Sequence, residues 1–102
     1  MNLYDICMEL AEIERKLDYG EIPFVYDNLM SAMKQGHPVE ILDEIIAPIF
    51  YPAMAHVKPD IKKVKTTLSG LKRYQRAFKV DLKKQIKDLE QYINDESSDV
   101  NA

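Results

Sequence analysis

DIKKVKTTLSGLKRYQRAFKVDLKKQIKDLEQYIN, residues 60–94, is the stretch that decides how this chain folds. Ile61, Val64, Leu68, Leu71, Phe78, Leu82 and Leu89 recur near heptad spacing, with Gln75, Gln85 and Tyr92 in the remaining seam positions. That period belongs to a helix with one apolar side. Unbroken, it would reach on the order of 50 Å, about twice the length of a first helix at the N-terminus. The seam would then outrun its partners. Either Ser69 and Gly70 divide it, since an interior glycine costs about 1 kcal/mol relative to alanine, or its distal part, from Phe78 to Ile93, packs against a second copy of the chain. The second arrangement is the expected one.

The sequence on the N-terminal side is helical in pattern as well. Leu3, Ile6, Leu10, Ile13 and Leu17 alternate at three and four residues among charged positions, which predicts an amphipathic helix over 3–18. Asn2 can cap it, Asp5 follows in a capping-box-like position, and Gly20 supplies a left-handed stop. Pro23 suits the first turn of a short second helix through Val25, Leu29, Met30 and Met33, stopping at Gly36. Pro38 opens a third, with Glu40 in its first turn and Ile41, Leu42, Ile45 and Ile46 on one face. The period continues through Ile49, Phe50, Ala53, Met54 and Val57, but Pro48 and Pro52 each remove a backbone donor and crowd the preceding turn. A break or sharp kink near Pro48 is therefore expected. Residues 95–102, DESSDVNA, have no apolar period and read as a disordered acidic tail. The predicted fold is all-α: one domain, residues 1–94, forming a bundle of about four helices with a long basic helix at its C-terminal end.

Composition narrows the class of protein. In 102 residues, 46% are apolar and 30% charged, the balance of a globular domain. Ile45 to Val57, the longest strongly apolar stretch, is interrupted by prolines and is far shorter than the roughly 20 residues a membrane span needs. Cys7 is the sole cysteine, so no internal disulfide can form, and the N-terminal segment lacks a basic n-region. The expected location is the cytoplasm, with no membrane association.

Charge is laid out in blocks. Residues 1–57 carry 10 acids and 3 bases (−7), residues 58–87 carry 11 bases and 2 acids (+9), and residues 88–102 carry 5 acids and no base (−5). Within the basic block Lys58, Lys62, Lys65, Lys72, Arg76, Lys79, Lys83 and Lys87 follow one another at helical steps, widened by Lys63, Arg73 and Lys84. Such a stripe serves as a solvated face balanced by acidic neighbours, as a dock for an acidic protein, or as a nucleic-acid contact that displaces counterions from phosphates. An overall pI near 5.3 favours the first two over the third. Residues 71–79, LKRYQRAFK, interleave aromatic and basic side chains as a base-stacking site would, although Tyr74 borders the apolar seam and is expected in the core. Phe50, Tyr51 and Met54 combine large apolar groups beside two prolines and form a second candidate anchor for a partner.

Chemistry-bearing constellations are sparse. His37 and Glu40 stand three apart and His56 stands alone, short of the three or four converging ligands that a helical metal site uses. Cys7 has no basic neighbour to lower its pKa. No glycine-rich phosphate loop or nucleophile elbow is present. No catalytic residue, cofactor or metal site is expected.

In its small, Lys-, Ile- and Asp-rich helical style the chain resembles short accessory proteins of bacteria and their phages or mobile elements, a resemblance of composition that carries no specific motif. The sequence thus points to a small regulatory or adaptor protein that binds a protein partner, with Lys62, Lys65, Lys72, Arg73, Arg76, Lys79, Lys83, Phe50, Tyr51 and Met54 as contacts. A nucleic-acid binder using the same stripe is the alternative, and homodimerisation accompanies either.

Overall fold

The computed structural model describes residues 2–25, 34 and 36–101. Among the described residues there are four helices and no strand: α1 (Leu3–Asp18), α2 (Pro38–Met54), α3 (Ile61–Phe78) and α4 (Lys83–Asn101). α1 packs on α2, α2 on α3, α3 on α4, and α4 closes the ring against α1. Lateral contacts set the directions. Tyr74 Oη donates to the Pro38 carbonyl at 3.0 Å while Thr67 Oγ1 donates to that of Ile45 at 3.0 Å, so α2 and α3 run antiparallel. The all-α bundle expected from the periodicity is the fold.

α1 has the predicted bounds and caps. Asn2 Oδ1 accepts from the Asp5 amide at 2.8 Å. Gly20, at φ 75°, lets the Glu21 amide return to the Lys16 carbonyl at 2.7 Å, the closure of a helix that ends through a left-handed residue. The second helix expected from Pro23 to Gly36 falls largely outside the described residues; Pro23, Phe24 and Val25, which are described, are not helical.

α2 corrects an expectation. Pro48 and Pro52 lie inside one uninterrupted helix rather than at a break. Each proline takes a donor from the ladder, leaving the Glu44 and Pro48 carbonyls without their usual amide; side chains of the neighbouring helices reach other carbonyls of the stretch, Thr67 that of Ile45 and Cys7 Sγ, at 3.8 Å, that of Ile49. Packing compensates, because Leu42, Ile46, Ile49 and Ala53 are buried along the side facing the bundle.

The long basic helix is also corrected. Ser69 and Gly70 do not divide it: α3 runs through both. The division comes at Lys79–Leu82, where the chain turns and α4 folds back. Phe78 and Leu82 are 1% and 0% exposed within the single chain. The distal seam therefore closes on the chain's own core, and the reason for sharing it side by side with a second copy disappears. The segment expected to be a disordered tail continues α4 as far as Asn101, and the Glu96 carboxylate pairs with Lys58.

Gly70 serves packing. A Cβ built there would lie 2.9 Å from Ile45 Cγ2, so the glycine lets α2 and α3 approach. Alanine gains about 1 kcal/mol of helix propensity, but crowding a packed core costs about 1–3 kcal/mol. Gly70→Ala is accordingly expected to lower stability in urea unfolding. In an Ile45→Ala background, with the crowding methyl removed, the same change is expected to raise it. Additive effects in the two backgrounds would remove the close-approach explanation.

Candidate basic site at the α3–α4 elbow

The elbow is built from the last turn of α3 and the first of α4. Lys79 adopts a left-handed conformation, φ 56° and ψ 34°, with its amide on the Gln75 carbonyl at 3.1 Å. Val80 and Leu82 are buried and pin the turn to the core. Gln75 Oε1 accepts from the Leu82 amide at 2.6 Å, and Asp81 Oδ1 from the Lys83 amide at 3.0 Å. The Leu82 carbonyl then takes the first bond of α4, from the Ile86 amide at 2.9 Å.

This turn converts a linear stripe into a concave site. Lys72, Gln75, Arg76, Lys79, Val80, Asp81 and Lys83 line an open hollow of about 670 Å³. Four of its residues are cationic and one is acidic. Four of the predicted contacts, Lys72, Arg76, Lys79 and Lys83, are thus brought together from two helices and their connection. Lys72 also stands 3.8 Å from Glu90 on α4, an exposed pair of the kind that contributes about 0–1 kcal/mol.

The other predicted contacts lie elsewhere. Lys62 and Lys65 are exposed on the N-terminal half of α3 and do not line the hollow. Arg73 borders a separate groove of about 320 Å³ between α2 and α3, with Ile41, Ile45 and Gly70 among its walls. Phe50 and Met54 are half-buried against the core, whereas Tyr51 is 66% exposed and meets Phe50 edge to face at 5.7 Å. None of these three lines the basic hollow. Tyr74 is 2% exposed, its hydroxyl taken by Pro38, so it is a core residue and the base-stacking reading of residues 71–79 falls.

Two contributors escaped sequence reasoning. Gln75, placed in the seam, caps α4 with its side chain. Asp81, passed over inside the basic run, opens that helix. A signal for it existed, because Asp81 is the one acid between Asp60 and Asp88 and aspartate beside a helix start is characteristic of capping.

Many of the acids are engaged within the chain. Lys84 Nζ bonds Glu9 at 2.8 and 3.0 Å and Asp88 at 2.9 Å, while Gln85 donates to Glu9 at 2.9 Å. Those bonds, to Glu9 first and then to Asp88, raise the Lys84 pKa. Glu12 holds Arg15 at 2.7 Å, and its carboxyl is lowered by that contact. Burial pushes the Cys7 thiol up to about 11, the opposite of an activated nucleophile. Among the described residues no group of three or more His, Cys, Asp and Glu side chains is gathered to hold a metal ion, and no helix is long and apolar enough to cross a membrane. Comparison of the chain with family models, curated proteins and solved structures returns no match.

One carboxylate titrates in an unusual range. Burial raises the Glu14 pKa from 4.5 to about 7, reinforced by Asp43 of α2 and Asp18 of α1. A carboxyl whose folded pKa exceeds its unfolded value binds more protons in the folded state, so ionising it opposes folding. Stability is expected to fall as pH rises from about 4.5 through 7 on this account. Glu14→Gln should flatten that slope and be the more stable chain at about pH 8. Urea midpoints at about pH 5 and pH 8 check both, and a wild-type slope retained in the variant would assign it to another group.

Proposed function

We propose that this chain is a small, non-catalytic cytoplasmic regulator or adaptor that docks an acidic protein partner at the α3–α4 elbow. The observation that carries the reading is the convergence of Lys72, Arg76, Lys79 and Lys83 on one hollow. A concave cluster suits a short run of carboxylates entering from solvent, whereas a straight stripe would suit the extended phosphate line of a duplex. α3 carries six bases and no acid, and α2 beside it carries Glu40, Asp43 and Glu44 with no base. The flanking acids would repel a polyanion large enough to extend beyond the elbow.

In this mechanism the basic face steers the encounter and orients the partner, since charge complementarity acts more on rate and register than on holding energy. Apolar contact supplies the remainder. Tyr51, exposed on α2 and edge to face with the half-buried Phe50, offers with the half-buried Met54 a second and separate contact for a partner large enough to reach it.

The test compares two pairs of charge reversals with equal change in net charge. Arg76→Glu with Lys83→Glu should weaken binding of a synthetic Glu-rich peptide by about tenfold or more, as two charge-assisted contacts of about 1 kcal/mol each require. Lys62→Glu with Lys65→Glu, outside the hollow, should weaken it by about twofold, the scale of exposed long-range charge. Fluorescence anisotropy at two salt concentrations, run in parallel with duplex DNA, reads both. Equal losses for the two pairs, with tighter and steeply salt-dependent DNA binding, would replace this proposal with the nucleic-acid reading.

A further inference from the structure

The elbow between α3 and α4 contains no helix breaker. Lys79, Val80, Asp81 and Leu82 include neither glycine nor proline, and the apolar seam passes through them in register from Leu71 and Phe78 to Leu82 and Leu89. The bend is imposed by burial and by two side chains. Gln75 Oε1 holds the Leu82 amide and Asp81 Oδ1 holds the Lys83 amide. In an unbroken helix those amides would bond to the carbonyls of Phe78 and Lys79 instead. Both arrangements satisfy these two donors. Only the bent one places Lys79, a residue with a Cβ, in the left-handed region at φ 56°, which disfavours it.

We propose that the elbow is a hinge, and that the chain has a second, exchanged form. In that form residues 61–101 make one helix whose α4 half docks on α1 and α3 of a second copy and receives that copy's α4 in return. The bent form specifies the occupant. Leu82, Ile86 and Leu89 are buried within the chain, and Glu9 of α1 receives both Lys84 and Gln85 from α4. A second copy presents the same side chains to the same sites, which makes exchange between identical chains a low-cost route to a dimer. Straightening relieves Lys79 in both copies. Against this stand the surrender of the two side-chain caps and the entropy of association, so the exchanged form grows with concentration.

The hinge also controls the basic site. Bent, Lys72, Arg76, Lys79 and Lys83 surround the hollow; straightened, they lie at steps of four, three and four residues along one helix. A ligand that requires the hollow favours the bent chain and opposes exchange. This coupling rests on the function proposed above; the hinge itself does not.

The test uses full-length chains refolded at high concentration, with mass measured by light scattering after size exclusion. Wild type should show a fraction near twice 11.8 kDa, and Lys79→Gly, which removes the left-handed penalty, should reduce it by about tenfold or more. Gln75→Leu with Asp81→Ala should increase it. Mixing supplies the specific signature. Glu9→Lys and Lys84→Glu chains each carry like charges between α1 and α4 when bent. In an exchanged pair of one of each, the two reversed charges meet each other at one contact and native Glu9 meets native Lys84 at the other, so both contacts regain opposite signs.

Co-refolding the two should therefore give a one-to-one heterodimer by native mass spectrometry. Monomers throughout, including the Gln75→Leu/Asp81→Ala chain, would overturn the hinge. A dimer indifferent to Lys79→Gly and showing no preference for the mixed pair would overturn it too, by identifying side-by-side association. A Glu-rich peptide that binds yet leaves the dimer fraction unchanged would overturn the coupling. A dimer that shows the mixed-pair preference in a chain that binds no acidic peptide would sustain the hinge and defeat the docking proposal.

Discussion

Burial of Phe78, Val80 and Leu82 around a four-residue turn holds α4 against α1 and α3, and the remainder of the bundle depends on that contact. Without it the seam from Phe78 to Ile93 would be exposed and Leu3, Ile6, Leu10 and Ile13 would lose one wall of their surroundings. The turn is made from ordinary residues. Its geometry comes from the free energy of burying large apolar groups, about 1.5–3 kcal/mol for each side chain of that size, which outweighs the helical propensity of Lys79 through Leu82.

That same turn makes the basic block into a site. Along a straight helix Lys72, Arg76, Lys79 and Lys83 would repel one another on a solvated face, with counterions to relieve them. Folded back, they surround a hollow, and Glu90 of α4 stands close to Lys72. A local turn chosen by the core therefore sets the electrostatic character of the surface. The acids of α1 have a different role, with Glu9 tying α1 to α4 and Glu12 tied to Arg15, so the charge dipole of the sequence is partly used in assembling the bundle.

Several single residues show how the periodicity had to be qualified. Prolines at 48 and 52 suggest a broken helix by propensity, but α2 is buried along Leu42, Ile46, Ile49 and Ala53, and side chains from α1 and α3 approach its carbonyls. Gly70 suggests a break for the same reason and is instead the place where α2 comes closest to α3. Tyr74, in an aromatic and basic run that resembles a stacking platform, donates its hydroxyl to the start of α2. At the prolines and at Gly70 a local preference of about 1–3 kcal/mol met a tertiary contact of equal or larger size.

What the sequence by itself determined was the class of fold, the bounds and caps of α1, the start of α2, the apolar seam and the identity of the basic block. Those follow from period, capping chemistry and charge, which act over a few residues. Tertiary structure decided where the long seam breaks, which of its bases converge, that Arg73 and the Phe50–Met54 segment lie apart from them, and that Gln75 and Asp81 hold the bend. The physical reason is that the Leu82 and Lys83 amides find acceptors in an unbroken helix and also, through Gln75 and Asp81, at the elbow, so the chemistry of these two amides leaves the balance between helix and bend open. Only the core made jointly by α1, α3 and α4 tips that balance toward the bend.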